Sequence, residues 1–148
     1  MADRRPPIRK SPVEVLGDLV SGHREALITG AETARKYLLK FRDRNDSLPN
    51  AVKFFLYDLL VEDAYQTDDV ETCRTAVAEA DKYLPAAQTD MLQRFREYSP
   101  SIRMFERGIA LAIDDGDFDR GLALCKRAVA LGLGPAYEAK RASIERMM

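Results

Sequence analysis

Apolar residues recur three and four positions apart along most of this chain, and runs that alternate every second residue are missing, a pattern that predicts helices and no sheet. Ser11-Pro12-Val13-Glu14 marks the first start: a capping serine, a proline at the first helical position and a glutamate able to reach back. From there Leu16, Val20, Leu27, Ala31, Ala34, Leu38 and Phe41 keep one face dry, with His23 as its polar interruption. Gly22 and Gly30 weaken a helix interior and Thr29-Gly30-Ala31-Glu32 repeats the capping signal, so a break is expected near Gly22 or Thr29.

A third helix over about 49–66 carries Val52, Phe55, Leu56, Leu59, Leu60 and Ala64, an apolar surface wide enough to face neighbours on two sides, which makes it the expected central helix. Asp68-Asp69-Val70-Glu71 caps a fourth, stopped by Pro85, and a fifth spans about 87–98. Ser99-Pro100 restarts the chain into a sixth that ends near Asp114. Asp115-Gly116 returns it as a seventh over 118–131, Gly132 supplies a left-handed cap, and Gly134-Pro135 opens the last helix. The expected fold is therefore all-α, with antiparallel helix pairs in about 7–8 helices.

With 148 residues, 46% hydrophobic and 32% charged, the chain fits one domain with its own core, residues 11–148. Residues 1–10, with two prolines, four basic side chains and no periodicity, are expected to be a disordered basic arm. Residues 1–50 hold ten basic and seven acidic side chains, 51–100 five and ten, and 101–148 eight and seven, so charge runs +3, −5, +1 around a net of −1. Cys73 and Cys125 fall on faces expected to be buried and have no metal or redox spacing. No apolar run approaches the roughly 20 residues that span a bilayer, and the start lacks an apolar export segment, so a cytoplasmic location without membrane contact is expected.

The sixth and seventh helices resemble a tetratricopeptide repeat. Phe105, Gly108, Ala112, the turn Gly116-Asp117-Phe118, Gly121, Cys125 and Ala128 stand where that family places its large, small, turn and alanine positions; Gly132-Leu133 replaces the closing Asp-Pro. Tyr57, Val61, Ala64, Asp68-Asp69-Val70, Cys73, Val77, Ala80 and Pro85 give a degenerate second copy. Asp69 and Asp117 are 48 residues apart, against about 34 in the family, so the helix around 88–98 reads as an insertion. The resemblance covers roughly 60 residues, over 54–85 and 102–133. It implies either a right-handed solenoid or, with only two units, a compact bundle capped by the remaining helices.

It also implies that the first helix of each pair lines a groove. Phe55, Asp58, Glu62 and Tyr65 from one pair and Arg103, Glu106 and Ile113 from the other are the residues expected there. Family members that clamp a terminal carboxylate use Lys, Arg and Asn; Asp58 and Glu62 invert that sign, so the carboxylate clamp does not carry over.

Chemistry-bearing constellations are sparse. The sequence has one histidine, His23, expected at a helix surface or boundary, no phosphate-cradling glycine loop and no histidine-containing metal pair at helical spacing. Asp114, Asp115, Asp117 and Asp119 lack the remaining ligands of a calcium loop and suit a helix start. No catalytic residue, metal or cofactor is expected.

These features point to a non-enzymatic scaffold or adaptor that binds a protein, peptide or helix, with the acidic groove preferring a basic segment and the arm permitting a homo-oligomer. The alternative is nucleic-acid binding through Arg4, Arg5, Arg9 and Lys10 of the arm and the helix face of Arg35, Lys36, Lys40, Arg42 and Arg44, where Tyr37 and Phe41 are interleaved.

Overall fold

The computed structural model describes residues 10–45, 47–87, 89–98 and 102–148, and these fold into eight α-helices with no strand among them. In chain order they are α1 (Pro12–Thr29), α2 (Ala31–Arg44), α3 (Asn50–Gln66), α4 (Val70–Tyr83), α5 (Thr89–Tyr98), α6 (Arg103–Asp114), α7 (Phe118–Ala130) and α8 (Pro135–Met147). A 3₁₀ turn, Leu84–Ala86, carries Pro85 at the end of α4. No helix is long and apolar enough to cross a membrane among the described residues. The expected arm at residues 1–9 and the Ser99-Pro100 restart lie outside the described residues.

The first start is built as its sequence demands. Ser11 Oγ accepts from the Glu14 amide at 3.2 Å while Glu14 Oε1 accepts from Ser11, a reciprocal cap that satisfies two donors the helix leaves open. Between the two expected break points the chain chooses Gly30, and α1 runs straight through Gly22. Gly22 serves packing instead: a Cβ there would run into the ring of Tyr37, whose hydroxyl donates to the Asp18 carbonyl at 3.2 Å.

Helices α1 and α2, α3 and α4, and α6 and α7 form antiparallel pairs, and each later pair lays its first helix against both helices of the pair before it: α3 on α1 and α2, α6 on α3 and α4. Helix α8 closes the array on α7, with Ile144 fully buried. The central place expected for α3 is confirmed. Phe54, Phe55, Leu56, Val52, Val61 and Ala64 are all at 0% exposure on one helix, leaving it no continuous solvent face. Gly108 lets α6 approach closely, since a Cβ there would stand 2.9 Å from Val77 of α4 and 3.1 Å from Leu124 of α7. Cys73 and Cys125 are buried, free, and held protonated by burial that raises both thiols.

Helix α5 is the element outside the pairing. It lies against α1, its Met91 and Phe95 buried and its Gln93, Arg94, Arg96 and Glu97 exposed, and Phe95 packs 4.7 Å from Phe55 of α3 between ring centres. Alternation of Met91 and Phe95 at i and i+4 is what gives so short a helix one adhesive side.

Candidate functional site

The expected groove residues sit along α3 and the start of α6, and the structure divides them. Phe55 is fully buried under Phe95, so it belongs to the core that seats α5 rather than to an open groove. Asp58 is also fully buried. Its two oxygens accept from the backbone amides of Arg103 at 3.1 Å and Met104 at 2.7 Å, which open α6 without a capping side chain of their own. An aspartate from α3 thus caps α6 from across the interface, doing what Ser11, Asp69 and Asp117 do locally for their own helices. Burial raises the Asp58 carboxyl to about 7 against the opposing pull of those amides.

Glu62, Tyr65 and a residue the sequence reading passed over, Arg107, come together on the surface. Arg107 reaches from α6 to Glu62 with Nε at 3.0 Å and Nη2 at 3.2 Å, and its guanidinium lies 3.7 Å over the Tyr65 ring. Partial burial works to raise Glu62, but its hydrogen bonds from Arg107 and Gln66 outweigh that and hold it below its ordinary value. Tyr65 remains 48% exposed, and Arg103, Glu106 and Ile113 are half-buried on α6. Arg107 was legible as the residue one helical turn beyond Arg103 on the same face.

The acidic groove expected from Asp58 and Glu62 is thereby corrected. One carboxylate is spent inside on a helix end and the other is neutralised by Arg107, so neither offers open charge to a basic segment. Beside the cluster a cleft of about 160 Å³ opens between the α3–α4 turn and the end of α6, lined by Tyr65, Asp68, Asp69, Val70, Cys73, Leu111 and Asp114.

His23 is corrected too. It is 5% exposed, inside the α1–α3 interface, with Nε2 2.7 Å from Oδ2 of Asp63, itself 2% exposed. Burial raises the Asp63 carboxyl, His23 opposing. The polar break in the dry face of α1 is therefore answered by a polar break in α3 forty residues on.

The basic face of α2 is partly consumed within the fold. Arg35 donates to Thr67 Oγ1 at 3.0 Å and to Asp69 Oδ2 at 2.8 Å, and Arg42 to Asp43 at 3.0 Å. Lys36, Lys40 and Arg44 stay exposed, and Lys10 pairs with Asp18 at 2.6 Å. Arg4, Arg5 and Arg9 lie outside the described residues. In the acidic turn, Asp117 caps α7 and Asp115 takes Arg74 at 2.6 and 3.2 Å.

No family model, curated protein or solved structure matches this chain.

Proposed function

We propose that this protein is a non-catalytic interaction module of tetratricopeptide-like helix pairs that holds a helix or peptide of a partner protein at the surface where Glu62 and Tyr65 of α3 meet Arg107 of α6. The observation that carries this reading is α5. An amphipathic helix of the chain is seated on α1 and α3 by Phe95 against Phe55, so this side of the array already receives a helix by side-chain anchors. Toward the C-terminal end of α3, Tyr65 and Arg107 present an aromatic ring and a guanidinium 3.7 Å over it, braced by Glu62, and tyrosine and arginine are residue types that anchor protein interfaces. The helix-pair order supports the family resemblance, because each first helix contacts both members of the preceding pair, as a repeat array requires.

Affinity capture from source cells tests this, with Tyr65→Ala and Arg107→Glu as paired variants. A partner set retained by the natural chain and reduced at least about tenfold by each variant is expected, the loss of an interface anchor being about 1.4 kcal/mol or more. Equal capture by all three proteins would overturn the reading.

A further inference from the structure

A second cleft lies on α3 where α2 ends and α4 runs past, and of its lining only Arg42 had been given a binding role, on the basic face of α2. Its volume is about 370 Å³, within the usual range for small-ligand sites. Leu48 and Leu56, both buried, give it an apolar floor. Tyr57 and Tyr83 form a wall of parallel rings, 6.1 Å between centres and 6° between planes. Arg42 and Lys53 bring two cations to the rim, with Lys53 Nζ 5.2 Å from the centre of the Tyr83 ring; Lys82 Nζ stands at the same distance from that ring. Among the described residues the lining has one carboxylate, Asp43, already engaged by Arg42 Nε at 3.0 Å. Asn45 completes the rim while its amide donates to the Phe41 carbonyl at 2.7 Å.

This arrangement joins an apolar, aromatic interior to a rim that carries two cations, Arg42 and Lys53. A neutral hydrocarbon would leave the cations unused, and a bare inorganic anion would leave the leucines and rings uncovered. We propose that the cleft binds a small organic anion: a phosphate or carboxylate held by Lys53 and Arg42, on a ring-bearing body that lies on Leu48, Leu56 and the tyrosines. Lys53 supplies a mobile point charge, Arg42 a guanidinium pre-oriented by Asp43.

Titration of the full-length ¹⁵N-labelled protein with phenyl phosphate, benzoate, inorganic phosphate and phenol tests the proposal. Phenyl phosphate or benzoate is expected to give saturable shifts confined to the amides around Asn45, Lys53, Tyr57 and Tyr83, with inorganic phosphate and phenol each at least about tenfold weaker. Which of the two organic anions is tighter separates phosphate from carboxylate recognition. Lys53→Gln, which keeps the stem, should weaken the better anion by about tenfold and remove most of its salt dependence. Tyr83→Leu should weaken it with salt dependence retained. Shifts that fail to saturate by about 10 mM, shifts centred elsewhere, phenol binding as tightly as the anions, or an affinity unchanged by Lys53→Gln would each overturn it.

Discussion

At the turn from α3 to α4 the chain holds Asp68 at φ 57°, and at the turn from α6 to α7 it holds Gly116 at φ 73°. The following residues, Asp69 and Asp117, take nearly the same backbone angles, −95°/81° and −91°/72°, and cap their helices through the amide three residues on. Even the crossing hydrogen bonds agree, Asp69 to Ala64 at 2.9 Å and Asp117 to Ala112 at 2.8 Å. An arginine from the preceding pair braces each turn, Arg35 on Thr67 and Asp69, Arg74 on Asp115. The two turns share one backbone and capping geometry built with different side chains. Leu60, 48 residues before Gly108, is a buried side chain, whereas a Cβ at Gly108 would crowd Val77 and Leu124.

The comparison breaks first at Asp58, which has no counterpart role in the second pair. Asp58→Ala strands the amides of Arg103 and Met104 in the interior and should cost about 3 kcal/mol by urea denaturation. Asp58 and Asp69 also have opposite pH signatures. The carboxyl of Asp58 is raised from 3.8 to about 7 in the fold, so its contribution is complete below about pH 4 and is lost as pH rises toward 7; Asp58→Asn should flatten stability across that window. Asp69, held at about 2 chiefly by its hydrogen bonds to Thr72, then by Arg35, contributes above about pH 4 and loses that contribution as pH falls toward 2, so Asp69→Asn should flatten only the acid limb. A pH series of denaturation curves reads both.

Exchanging the equivalent core positions comes next. Gly108→Leu forces a side chain into Val77 and Leu124 and should cost about 2–3 kcal/mol, whereas Leu60→Ala should cost a similar amount by leaving a cavity. Both lower the urea midpoint, for opposite steric reasons. Smaller effects are expected at the turns. Asp68→Gly should stabilise by about 0.5–1 kcal/mol, relieving a left-handed aspartate, and Gly116→Ala should destabilise by about 1 kcal/mol, readable as opposite shifts in thermal midpoint. Smallest of all, Arg35→Ala should cost about 1 kcal/mol and Arg74→Ala less, since the Arg35 side chain is 16% exposed and Arg74 35%.

Local signals carried the helices far. The Ser11 cap, the Asp69 and Asp117 caps, the left-handed Gly132 and the central place of α3 are all written in short stretches of sequence, because capping and periodicity act within one turn. What escaped the sequence acts between helices. Asp58 looked like a groove carboxylate because the repeat resemblance lines a groove with the first helix of each pair, yet its side chain meets the opening of α6 brought back 45 residues later. His23 and Asp63 each looked like a polar exception; only their pairing explains either. The basic stripe on α2 likewise lost Arg35 to a turn 34 residues on. Tyr65 and Arg107 meet because α3 and α6 pack, and only Tyr65 had been singled out.

Site-specific photocrosslinking decides the interaction reading most directly. With a photoreactive residue placed at Tyr65 on the α3–α6 side and, separately, at Lys126, exposed on α7, the account predicts a discrete partner adduct from position 65 that Arg107→Glu suppresses, and none from position 126. Adducts from 126 alone, or an adduct at 65 indifferent to Arg107, would contradict it.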